Sequence, residues 1–253
     1  MPVRAREATR PTVSPGWIAI VALALAALGW WWTAVTADEM DADMMMGAEA
    51  VMSLAAFLFA WLAMMVAMMF PAVLPVVNIY RRAAARRTVA PVPLFLAGYI
   101  VVWSALGLPA YLAWRRLAGP LSEASPTAGR IAGVVLLAAA GYQLSPFKAV
   151  CLRHCRSPLS FFMQHGKDLQ RPSGAVVAGA RHGLYCVGCC WMLMAVLVAF
   201  GTMELAWMAG LALLILIEKV TPVGERVALA AGAAFLVLGV VLLINPTTVG
   251  NLT

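Results

Sequence analysis

Seven runs of apolar residues, most of them long enough to cross a bilayer, restrict this chain more than any motif does. Hydrocarbon about 30 Å deep is crossed by roughly 20 helical residues. The runs cover 17–35, 52–80, 93–114, 128–144, 183–200, 205–217 and 227–244. Little is left for a soluble domain. The chain is 63% hydrophobic and 11% charged, where a soluble domain carries roughly 25% charged residues. The expected fold is all-α, a polytopic membrane helix bundle of about seven transmembrane helices. It forms a single transmembrane domain over 17–245, with a disordered basic tail over 1–16 and a C-terminal tail over 246–253.

Charge gives the bundle an orientation, because cytoplasmic segments collect Lys and Arg. With the N-terminus cytoplasmic, the inner segments hold Arg4, Arg6, Arg10, Arg81, Arg82, Arg86, Arg87, Lys148, Arg153, Arg156, Lys167, Arg171, Arg181, Lys219 and Arg226. That is fifteen of the 18 basic residues; Arg115, Arg116 and Arg130 fall outside. The net charge of +7 is therefore a topology signal. No solvated domain carries a basic groove, so nucleic acid is excluded as a partner and the lipid bilayer is the expected one. Val35-Thr36-Ala37 offers small residues for signal cleavage. The first run is long for a signal h-region of about 7–15 residues, so it is expected to stay as an anchor.

Within this apolar chain, 15 Met and five Cys stand out as soft metal ligands. Three of the cysteines lie in Arg181-His182-Gly183-Leu184-Tyr185-Cys186-Val187-Gly188-Cys189-Cys190-Trp191. On a helix, with His182 at zero, Cys186 falls near about 40°, Cys189 near about 340° and Cys190 near about 80°, while Trp191 points the opposite way. His182, Cys186, Cys189 and Cys190 thus share one face. Cys151 and Cys155, spaced for one helical turn, lie in the polar connection over 147–174, and Pro158–Leu169 within it reads as an interfacial amphipathic segment. On the cytoplasmic side thiols stay reduced, so a joint metal site is expected rather than a structural disulfide. If the fifth span starts near Gly183, Cys190 lies roughly 10 Å above the inner interface.

Two further groups of soft ligands extend this pattern. On the second span Met64, Met65, Met68 and Met69 also share one face, with Pro71 and Pro75 beyond them expected to kink the helix. Ordinarily such a stripe is core packing. Between the first two spans, Asp38 to Glu49 concentrates five acids and four Met in a short loop without a cation. Asp41, Asp43, Met44, Met45 and Met46 there form an outer, metal-collecting mouth. The three groups make a relay: mouth, Met face, thiols. Glu218, at the end of the sixth span, either pairs with Lys219 or a nearby Arg or neutralises a cation in transit. Of the remaining histidines, His154 and His165 are expected to be solvated or interfacial, with His154 near enough to Cys155 to join the site. Gly129, Gly133 and Gly141 on the fourth span are expected to let helices approach closely.

The motifs resemble a bacterial family of predicted metal-binding integral membrane proteins, a domain of unknown function with the motif His-Gly-x-Tyr-Cys-x-Gly-Cys-Cys-Trp. That motif stands here as His182 to Trp191. Trp61, Met64-Met65, Met68-Met69 and Pro71 match an earlier part, as do Tyr142-Gln143-Leu144, Lys148, Cys151-Leu152, Cys155-Arg156 and Pro158, then Glu218-Lys219, Pro222 and Gly224. The similarity covers roughly residues 50–245, and the acidic Met stretch lies outside it. It implies metal binding in a multi-pass protein of the bacterial inner membrane.

Residues and resemblance together lead to one expected function: binding a soft metal ion, Cu(I) ahead of zinc, for transport or for delivery to a metal chaperone or metalloenzyme. Copper is favoured because thioethers are poor zinc ligands and good Cu(I) ligands. Assembly as an oligomer is compatible with the sequence. Without a phosphate-binding glycine loop or a Cys-x-x-Cys-His motif, ATP-driven transport and covalent haem are not expected, and an enzyme is the lesser reading. Its form would be a membrane thiol-disulfide oxidoreductase using Cys186 and Cys189, whose spacing is that of redox dithiols. A third reading is a non-catalytic accessory or scaffold subunit.

Overall fold

The computed structural model describes residues 16–45, 53–84, 92–122, 126–156, 171–200 and 205–251. Its regular elements are α1 (Gly16–Met45), α2 (Leu54–Ala84), α3 (Val92–Ser122), α4 (Pro126–Gln143), α5 (Pro146–Arg156), α6 (Pro172–Phe200), α7 (Leu205–Val220), α8 (Gly224–Ile244) and a closing 3-10 helix, Pro246–Asn251. The described fold is all-α, the architecture expected of a polytopic membrane bundle.

Five helices are long and apolar enough to cross a membrane: Trp17–Thr36, Leu54–Tyr80, Val92–Leu117, Pro172–Phe200 and Gly224–Ile244. The bent pair α4–α5 makes a sixth. This is fewer than seven because α7 has only 16 residues, about 24 Å of helix. Chain direction nevertheless alternates as a seven-pass path requires. α7 runs back along α6, with Trp207 stacked on Phe200 at one end and Lys219 beside Cys186 at the other. Similarly, α8 runs antiparallel to α4, from Gly232 beside Gln143 to Pro246 beside Gly129.

The break between α4 and α5 is written in Ser145-Pro146. Proline disfavours a helical residue before it and suits the first helical position. Ser145 Oγ accepts the Lys148 backbone N–H at 3.2 Å and caps α5. The two helices meet at 65°, which folds α5 onto α6 and α7. A second break at Thr221–Val223 ends α7, and Gly224 is required there: a Cβ would stand 2.0 Å from the Glu218 carbonyl oxygen.

Packing in lipid depends on close backbone approach rather than on hydrophobic burial. Residues Gly98 and Gly179 bring α3 and α6 together; a Cβ on Gly179 would lie 1.8 Å from the Phe95 carbonyl oxygen. Gly129 and Gly133 do the same for α4 against the 3-10 helix and α8, but Gly141 is exposed with nothing within 4 Å of a built Cβ and mediates no approach.

Pro71 and Pro75 lie inside α2, as expected, and do not end it. Several boundaries differ from expectation. Helix α1 runs on to Met45, so Asp38–Met45 is helical and not a loop. The side chains of 37–45 and all of residues 46–52 lie outside the described residues, as do the basic tail over 1–15 and the expected amphipathic segment with His165. The polar connection is shorter than expected, because 146–156 and 172–182 are helical.

Candidate metal centre

α6 begins at Pro172, eleven residues before the expected start. Cys186 therefore sits at the middle of a 29-residue helix, and a depth of about 10 Å reckoned from Gly183 no longer holds. Arg181 and His182 lie within the helix, so the cysteine motif is a mid-helix feature rather than a loop-to-helix junction.

The one-face reading of this motif holds in space. His182, Cys186, Cys189 and Cys190 are all buried on α6, and Trp191 is exposed on the other side. From α5, Cys155 joins them, also buried. Its thiol lies close enough to those of Cys186 and Cys189 to interact with both, as the Cys186 thiol does with those of Cys189 and Cys190. Cys189 and Cys190 also reach back along the helix, donating to the Cys186 carbonyl at 3.1 and 2.9 Å. Four thiols from two helices thus form one buried cluster, and all five cysteines are free thiols. Cys151 stands at its edge, half-buried, packed where a Gly188 Cβ would lie 2.8 Å from its sulfur. His182 lies between Phe95 and Tyr99, with ring centroids at 6.1 and 5.9 Å, and its Nε2 is 4.0 Å from Cys155 Sγ. His154 does not join: it is exposed, stacks on Tyr185 at 4.7 Å, and shares a hydrogen bond with its own helix at Val150.

Cys186 Sγ is the hub. Tyr99 Oη shares a hydrogen bond with it at 3.0 Å, and Lys219 Nζ donates to it at 2.8 Å. The same ammonium lies 3.8 Å from Met69 Sδ. A cation from α7 therefore stands between the thiol cluster of α6 and the Met face of α2. Met64, Met65, Met68 and Met69 are all buried in the protein, with Met65 and Met69 fully enclosed, so the stripe faces the bundle and not lipid.

Glu218 is also buried, and its partner is Lys148 at 2.7 Å, not Lys219 or an arginine. Gln143 donates to the other Glu218 oxygen at 2.9 Å and accepts from Lys148 Nζ. Tyr142 donates to the Gly188 carbonyl. The triad closes the α4–α5 bend against the end of α7 and holds α5 on the cluster. Lys148 and Lys219, two cations assigned to cytoplasmic connections from charge alone, thus belong to the centre. The sequence signal was available for Lys219, an ionisable residue at the end of the apolar α7, which needs a buried partner, but not for Lys148, which stands in the polar α5.

Among the described residues, no group of three or more His, Cys, Asp and Glu is arranged ready-made around one ion. The thiols are held by one another and by a carbonyl. The donor chemistry, sulfur-rich, enclosed and flanked by a thioether and an imidazole, fits a soft ion of low coordination number. The outer mouth at Asp41, Asp43, Met44, Met45 and Met46 falls where side chains are not described, so no geometry joins it to the centre.

A family model described as PpoB2, copper chaperone, matches residues 58–242. The matched stretch takes in the Met face, both thiol helices, Lys148 and Glu218-Lys219, and leaves out α1 with the acidic Met stretch. No curated protein and no solved structure matches the chain.

Proposed function

The chain belongs to the PpoB2 copper chaperone family, and from that premise we propose that it holds Cu(I) at the Cys155, Cys186, Cys189 and Cys190 cluster and delivers it to a partner metalloprotein or chaperone. The observation that carries this reading is the meeting of four buried thiols from α5 and α6, with Lys219 reaching from Cys186 to Met69. Thiolates and thioethers are the ligands that select Cu(I). Cysteine binds as thiolate, so loading exchanges thiol protons for the metal. His182, 4.0 Å from Cys155 Sγ, is the nearest neutral donor.

The buried Met face supports the route. Met64 and Met65 to Met68 and Met69 form a thioether ladder ending at Lys219 and Cys186. Copper collected by Asp41, Asp43 and the Met44–Met46 run descends this ladder to the thiols. At the opposite edge of the cluster Cys151, less buried than the other four, is the ligand that hands copper on. The setting is a bacterial inner membrane, with the N-terminus cytoplasmic as the loop cations direct.

Copper content tests this directly. Anaerobically purified wild type is expected to retain copper, and Cys186→Ser and Cys189→Ser are expected to lose it. Wild-type protein that neither carries nor titrates with Cu(I) would end the proposal.

A further inference from the structure

We infer that Lys219 is the fixed counter-charge of the loaded cluster and limits its copper ligands to two thiolates. The inference rests on the cluster being the Cu(I) site. The ammonium is already in place, 2.8 Å from Cys186 Sγ and 3.8 Å from Met69 Sδ. Its sequence neighbour Glu218 does not neutralise it, because that carboxylate is bound to Lys148 at 2.7 Å and to Gln143 at 2.9 Å. Among the described residues Lys219 has no carboxylate within ion-pair distance. The Lys148–Glu218 pair is neutral in itself, which leaves Lys219, among the described residues, as a cation that faces the thiols with no carboxylate partner.

Charge arithmetic then sets the loaded state. Cu(I) bound by two thiolates carries one negative charge. Two S–Cu bonds form, two thiol protons leave to water, and no electron is transferred. In an enclosed, weakly polarisable interior an isolated charge is costly. Lys219 brings the assembly to zero. A third thiolate would leave it one charge negative, whereas His182 or Met69 could add as neutral donors without changing the balance. Lys219 is therefore a positioning residue that selects how many thiols bind.

The test is Cu(I) competition against bicinchoninate on the full chain in micelles, without oxygen. Lys219→Leu removes the charge with an apolar end that offers copper no ligand, Lys219→Gln removes it with a polar end, and Lys219→Arg keeps the charge. Both neutral variants should bind Cu(I) more weakly, by on the order of a hundredfold, and Lys219→Arg should remain close to wild type. X-ray absorption of the neutral variants should show one sulfur of the bound pair replaced by nitrogen. A neutral variant with unchanged thermal stability that binds as tightly as wild type, with the same sulfur count, overturns the inference while leaving the copper site standing. Wild type that takes up no Cu(I) removes the site itself.

Discussion

Cys186 gathers more contacts with chemistry in them than any other side chain of the centre: three thiols, a phenol and an ammonium meet at its sulfur. Cys151 is its counterpart at the edge, and the two should separate binding from transfer. In Cys151→Ser, equilibrium Cu(I) affinity should stay near that of wild type while stopped-flow transfer to a chelator slows; an unchanged transfer rate would remove Cys151 from the hand-off. The Lys148–Glu218 pair gives a stability prediction. Glu218→Ala leaves a buried ammonium alone and should cost about 3–5 kcal/mol in micelle unfolding, with most of that loss absent in a Lys148→Met/Glu218→Met double variant. If the double variant is no more stable than the single one, the pair is not held by mutual compensation. Residue identity alone could not reveal this pairing, because the partners are 70 positions apart and a 65° bend brings them together.

At the scale of elements, α5 was the least legible. Its eleven residues are polar enough to read as part of a connection, yet Ser145 caps it, Pro146 starts it, and it carries Cys155 into the cluster. The cysteine face of α6 and the Met face of α2 could be read from helical spacing, since a period near 3.6 needs no knowledge of neighbours. The start of α6 could not. Arg181 and His182 interrupt the apolar run, although Gly174 to Ala180 before them are themselves apolar and carry the span back to Pro172. Met65 and Met69 test whether the α2 face conducts or merely packs. Exchange of Met for Leu conserves volume, so Met65→Leu/Met69→Leu should change stability by less than about 1.5 kcal/mol per site. Copper offered at the outer face of proteoliposomes should nevertheless reach the cluster more slowly. Equal arrival rates would return the stripe to simple packing.

For the whole molecule, the apolar runs foretold an all-α membrane bundle, but not that one run would stop short. α7 ends at the level of Cys186, and the α4–α5 bend meets it there. Non-helical backbone inside a bundle is tolerated where protein encloses it, and here two such breaks flank the thiols. They turn a plain bundle into one with polar groups and a cation at its centre. The alternating chain direction predicts that the two termini lie on opposite faces of the membrane, which terminal reporters in cells would check; both on one face would show that α7 and α8 do not make two passes. Lys148 and Lys219 leave the topology count, but thirteen of the remaining sixteen cations still favour the same orientation.

The most direct measurement of the central claim is X-ray absorption on Cu(I)-loaded wild-type protein. The account predicts a monovalent copper edge and a first shell dominated by sulfur at low coordination number, lost together when Cys186 and Cys189 are replaced by serine. A first shell of nitrogen and oxygen, or a sulfur shell that survives both replacements, would contradict it.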